Sequence, residues 1–218
     1  MKKFLTLLAV VLLLQGCTVL NAKRDYQGMS RALAFNQNKK WLINNMYTDL
    51  SASAREKTQK RIFETFSSLS KGNSFTLTEA RQQNLLASKI SFSPTLEELE
   101  SLKENSDFDF LVTASTKQVS DQIGAIEYEK PIQYSKNEAF AILEVYDIKT
   151  MKRIYFQKAT LADSRDARKT YPEYSGEEIL RDEQNKKDRD LKFTHSAEQL
   201  SMIGMKKILK DIKKHAVK

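Results

Sequence analysis

Cys17 is the only cysteine in the 218-residue chain, and it stands where residue type and spacing converge on chemistry. Ahead of it come Met1, Lys2 and Lys3, then Phe4 to Leu14 with Thr6 as the only polar residue, then Gln15 and Gly16. A positive start followed by an apolar run of this length is the pattern of an export signal. It is too short to span a bilayer, which takes about 20 apolar residues. The cysteine falls where a cleavage site is expected.

No other constellation suggests catalysis. His195 and His215 flank the last helical stretch without cysteine or clustered carboxylates beside them. A metal site needs several ligands at suitable spacing, so neither a metal nor a cofactor is expected. Gly-x-Gly-x-x-Gly, P-loop and Gly-x-Ser-x-Gly motifs are absent from the sequence, which holds only six glycines to build a phosphate cradle. Glu97 and Glu98 are adjacent and would point apart on a helix, so they make no acid–base pair. Asp107 and Asp109 can share a strand face, but a strand-entry turn suits them better. The lysines near the C-terminus lack interleaved aromatics, which argues against nucleic acid. The expectation is a protein that is not an enzyme.

Leu14-Gln15-Gly16-Cys17 resembles the lipobox of bacterial lipoproteins, with an apolar residue three before the cysteine and a small one just before it. The resemblance implies diacylglyceryl transfer to the Cys17 sulfur, cleavage between Gly16 and Cys17, and acylation of the new amino terminus. The competing reading is an ordinary cleaved signal with a chance cysteine. Thr18 stands where an aspartate would imply inner-membrane retention, so the resemblance favours the outer membrane, facing the periplasm.

The elements that would carry such an anchor follow in order. Removing residues 1–16 leaves 34 basic and 28 acidic residues, a charge of +6 against +8 for the whole chain. At 29% charged and 40% hydrophobic, the composition is that of a globular domain, and about 200 residues suffice for one core. Residues 17–38 show no clean period and read as a lipidated, flexible tether, with a short helix near Met29 to Phe35. The domain is expected over 39–218. Lys40 to Tyr47 reads as a strand, with Trp41 as a core or strand-end aromatic. Ala54 to Ser70 reads as a helix capped by Ser53 and stopped at Lys71-Gly72-Asn73, and Phe75 to Thr78 as a strand. Glu79 to Lys89 reads as a helix, and a further helix starts at Pro94 with Ser93 as cap. Phe110 to Val119, Glu138 to Ile148 and Arg153 to Ala162 read as strands, the last two as a hairpin. Ser120 to Asn137 reads as a long loop or arm. Residues 163–192 form a charged surface insert, and His195 to Lys214 a closing helix. This is an α/β fold: a mixed sheet of about five strands with helices packed on it.

Two stretches carry a second resemblance. Asp107-Phe108-Asp109-Phe110-Leu111-Val112-Thr113-Ala114 and Leu143-Glu144-Val145-Tyr146-Asp147-Ile148-Lys149-Thr150 are similar to the strand entry and hairpin of penicillin-binding-protein activator and curli-secretion lipoproteins. Met151 in place of a turn glycine and the charged insert depart from that pattern. The resemblance implies a non-enzymatic adaptor or activator, tethered to the membrane by its lipid, whose partner is an envelope protein such as a peptidoglycan synthase. The alternative it implies is an oligomeric curli-type secretion or flagellar-assembly lipoprotein. In that alternative the arm at 120–137 would insert as strands, but Lys117, Asp121, Glu127, Glu129 and Lys130 interrupt the lipid-facing alternation this needs.

Overall fold

The computed structural model describes residues 22–83, 86–87, 89–120, 134–166 and 195–217. The signal at 1–16, Cys17, the centre of the expected arm and most of the charged insert lie outside them.

The described chain is a mixed sheet covered by helices on both faces. Its strands are β1 (Ala22–Asp25), β3 (Trp41–Ile43), β4 (Tyr47–Thr48), β5 (Ser74–Thr76), β6 (Phe110–Ser120), β7 (Tyr134–Asp147) and β8 (Lys152–Asp166). They lie in the order β1-β8-β7-β6-β3-β5, with β4 continuing the line of β3 along β6. β3 runs parallel to β5 and β6, while β7 and β8 form an antiparallel hairpin and β1 pairs antiparallel with β8. The parallel strands are separated by helical crossovers, as parallel pairing requires. A second pair, β2 (Leu33–Ala34) with β9 (Ala216–Val217), is parallel and brings the C-terminal end of the described chain to the segment between β1 and β3.

Helices α1 (Ala52–Leu69) and α4 (Ala197–His215) cover one face; α2 (Leu77–Gln83) and α3 (Leu96–Asn105) cover part of the other. β6 shows why the sheet is buried on both sides. Leu111 joins the core under α2 and α3, with Leu42, Leu99, Leu102 and Ile148, while Val112 and Ala114 join the larger core under α1 and α4. A strand that is apolar on both faces is what a central position demands.

The α4 contact depends on small residues. Ala139, Ala141 and Ala159 floor the sheet beneath it, and all three are fully buried. Gly204 faces them: a Cβ there would lie 3.0 Å from Leu161 Cδ1 and 3.3 Å from Ala141 Cβ. A glycine weakens a helix interior by up to about 1 kcal/mol, so here it is tolerated for the close approach it allows. Gly204→Val is expected to destabilise the fold by about 1–3 kcal/mol through overpacking, read as a lower urea midpoint at unchanged slope.

The mixed sheet with helices packed on it is the expected architecture, but several boundaries move. The tether over 17–38 and its short helix are corrected from Ala22 onward, because β1 and β2 belong to the domain. Between them Gln27 and Gly28 turn the chain with positive φ of 47° and 74°. Phe35 is buried and stacks on Trp41 with centroids 4.7 Å apart, in an aromatic group completed by Phe66 and Phe110. The strand expected over 40–47 is two short strands. With that split and with β1 drawn from the supposed tether, the sheet counts seven strands among the described residues. The cap of α1 is Ser51, not Ser53, and that of α3 is Thr95, not Ser93. Thr95 forms a reciprocal capping box with Glu98. Lys71 and Gly72 stop α1 at positive φ of 54° and 93°. Met151 holds the left-handed position of the β7–β8 turn at φ 56°, where glycine is usual.

Candidate functional site

The break between β3 and β4 opens a cleft along the described surface. After Ile43 the chain leaves the ladder, and Gln59 of α1 takes over its hydrogen bonding. The Gln59 side chain accepts from Met46 N–H at 2.9 Å and donates to the Asn44 carbonyl at 3.0 Å. Asn44, buried, donates to the Ile90 carbonyl at 2.9 Å and so ties this break to the opposite helical layer. The result is a cavity of about 670 Å³ lined by Asn45, Met46, Arg55, Gln59, Phe63 and Thr76, among others. It sits outside the carboxyl ends of parallel strands β3 and β5, where open α/β sheets commonly bind their ligands. Its wall is apolar at Met46 and Phe63, with Arg55, Glu56 and Lys60 around the rim. The wall offers apolar contact, and Arg55, Glu56 and Lys60 offer charge of both signs at the rim.

The strand-entry aspartates have a structural role. Asp109, 7% exposed, accepts from Lys39 Nζ at 2.9 Å, Lys149 Nζ at 2.8 Å and the Lys40 backbone N–H at 2.9 Å. Asp107 pairs with Lys40 at the surface. One carboxylate therefore fastens the β7–β8 turn to the start of β3, which explains an acid at that position without invoking catalysis. Burial pushes the Asp109 carboxyl up, but Lys149, the Lys40 N–H and Lys39 together outweigh it and hold it below the ordinary aspartate value. This carboxyl ionises more readily in the folded chain than in the unfolded one. Its contribution is therefore full above the ordinary aspartate value of about 4 and is lost as pH falls through the lowered one. Urea midpoints of the wild-type chain are expected to drop below about pH 4, and Asp109→Asn to flatten part of that drop.

A second buried carboxylate, Asp211 on α4, gathers the N-terminal strand. It accepts from Arg24 at 2.8 Å, from Tyr26 Oη at 2.6 Å and from Gln157 Nε2 at 3.1 Å, and Tyr155 Oη donates to Gln157 Oε1 at 2.7 Å. Burial, then the Asp211 hydrogen bond, pushes the Tyr26 phenol up.

The histidines are accounted for locally. His195 lies 3.1 Å from Asp163, whose carboxylate also accepts its backbone N–H at 2.8 Å, so the chain returns at His195 next to the strand it left after Asp166. His215 contacts the Asp211 carbonyl at 3.0 Å. Among the described residues no group of three or more His, Cys, Asp or Glu is placed to hold a metal ion. Trp41 is fully buried in the core. Glu98, considered with Glu97 above, caps α3 and accepts from Ser91; burial opposes its ionisation, and the Thr95 and Ser91 hydrogen bonds outweigh it to lower its pKa. Gly16 and Cys17 lie outside the described residues.

No family model matches the chain, and no curated protein does. Solved structures match it only distantly. The PelC dodecamer of Paraburkholderia phytofirmans is 7% identical, with 88% of this chain and 97% of that one covered, at a TM-score of 0.43. The hypothetical protein CT253 of Chlamydia trachomatis is 11% identical, with 81% and 94% covered, at 0.37. The lipoprotein GNA1162 of Neisseria meningitidis is 10% identical, with 67% and 93% covered, at 0.29. Likeness at this level assigns neither a family nor a function. Among the described residues no helix is long and apolar enough to cross a membrane. The cleft beside α1 had no signal in the sequence, since Met46, Phe63 and Thr76 come from three separate stretches.

Proposed function

We propose that this chain is a lipid-anchored envelope protein that works by binding another protein rather than by catalysis. The reading rests on Leu14-Gln15-Gly16-Cys17 at the end of a basic, then apolar, start. Cys17 is the lipid-attachment residue, Gly16–Cys17 the cleavage site, and the outer membrane, facing the periplasm, the favoured location. The geometry shortens the expected tether. Ala22, the first residue of β1, follows Cys17 by five positions, so the domain begins within about 17 Å of its anchor even if that stretch is fully extended. The cleft beside α1 is the partner surface, its apolar wall for an anchoring side chain and its charged rim for orientation. An envelope synthase is the partner class the sequence resemblance favours.

A photo-crosslinking residue at Lys60, on the rim, tests this in intact envelopes. The expected result is one discrete heterologous adduct, reduced by Phe63→Ala. An adduct at twice the chain's own mass would favour a self-assembling component instead. No adduct in any growth state contradicts the adaptor reading.

A further inference from the structure

The helical layers are oppositely charged. α1 and α4 carry nine lysines and arginines against four acids, whereas α2 and α3 carry two against five. The excess is densest on α4, where Lys206, Lys210, Lys213 and Lys214 recur at helical spacing, all exposed, with no ion pair to any described residue. The opposite wall of the helix is buried against β7 and β8.

This lysine face lies on the anchor side of the molecule. Ala22 pairs with Leu161, and Leu161 touches the position of Gly204, so the chain enters the sheet level with the middle of α4. Arg24 then bonds Asp211 one turn before Lys214. A packed layer lies about 10 Å from a sheet and a helix is about 5 Å in radius, so the outer face of α4 is about 15 Å from β1. The five positions from Cys17 to Ala22 reach about 17 Å, which is sufficient. β5 and the cleft beside it form the opposite edge of the sheet, five strand spacings or about 24 Å from β1.

We infer that α4 lies against an anionic bilayer surface through Lys206, Lys210, Lys213 and Lys214, setting the layer of α1 and α4 toward the membrane and the layer of α2 and α3 away from it. This rests on the lipid anchor proposed above and adds an orientation to it. The acyl chains supply the attachment; the lysines choose which side faces the lipid, by attraction to headgroups that falls off within a Debye length.

Lysine footprinting by brief acetylation and mass spectrometry reads this on the native full chain, reconstituted into vesicles of phosphatidylcholine with or without about 30% phosphatidylglycerol. Labelling of Lys206, Lys210, Lys213 and Lys214 is expected to slow about fivefold in the anionic vesicles, the equivalent of about 1 kcal/mol per lysine. Half-molar salt should abolish the difference, and Lys103, on α3 in the opposite helical layer, should be unaffected. Equal protection of all lysines, or none, overturns the inference. Protection seen in native envelopes but missing from protein-free anionic vesicles overturns it too, and gives the face to a protein. The same digest reports the mass of the N-terminal peptide. An acylated peptide with unprotected α4 lysines defeats the orientation alone; a bare peptide defeats the anchor.

Discussion

Asp211→Ala is expected to lower the unfolding free energy by about 3 kcal/mol. Three donors converge on this carboxylate, and they do not lose equally. Arg24 has a side chain 39% exposed and recovers water when its partner goes, so its ion pair contributes little. Tyr26 and the fully buried Gln157 cannot recover as much, and an unsatisfied buried donor costs about 1–3 kcal/mol. The ranking follows: Asp211→Ala most damaging, Asp211→Asn about half as much, Arg24→Ala below about 1 kcal/mol. Urea titration of the three variants checks it. A cost for Arg24→Ala equal to that of Asp211→Ala would mean that the ion pair, not the buried hydrogen bonds, holds β1 in place. The first strand should also become the first to exchange its amides in Asp211→Ala, because its remaining support is a four-residue ladder with β8.

Cys17→Ser, exported behind a conventional cleavable leader, is expected to release the domain from the membrane while leaving its fold intact. The two are separable because Cys17 lies before the first residue of the packed domain. The two acyl chains of the diacylglyceryl group alone, about fifteen methylenes each, contribute on the order of 24 kcal/mol of burial, whereas four surface lysines on an anionic leaflet contribute about 4 kcal/mol in low salt. The Cys17→Ser protein should therefore be recovered in the soluble periplasmic fraction, with a residual bound fraction that washes off in salt. Its urea midpoint should match that of the lipidated protein. A Cys17→Ser protein that still resists alkaline and salt extraction would show that something other than the acyl chains holds it.

What the sequence disclosed and what it hid divide by the range of the interactions involved. α1 and α4 were legible because Ile62 and Phe66, or Leu200, Leu209 and Ile212, repeat at helical spacing within one segment. β6 was legible because its apolar residues are contiguous and few alternatives bury both faces. β1 and β2 were not. They have four and two residues, three of the four in β1 are exposed, and β1 is ordered by Asp211 and β8, more than 130 residues away. Phe35 has no apolar periodicity around it, and its reason for burial is Trp41, which stacks on it from the next strand. The cap of α3 moved from Ser93 to Thr95 because Glu98, three residues on, closes a capping box with the latter. Among functional residues the same rule holds. Cys17 drew attention because the resemblance to a lipobox rests on one local string, Leu14 to Cys17. The cleft was unreadable because Gln59 replaces a strand whose pattern continues in the sequence through residues 44–46.

Lipidation at Cys17 is decided by the mass of the N-terminal peptide of the native protein, isolated from envelopes. The expected peptide begins at Cys17, lacks residues 1–16 and carries the added mass of a diacylglyceryl group and a further acyl chain. A peptide beginning at Cys17 with an unmodified thiol, or one that begins elsewhere, contradicts the anchor and with it the adaptor held at the membrane.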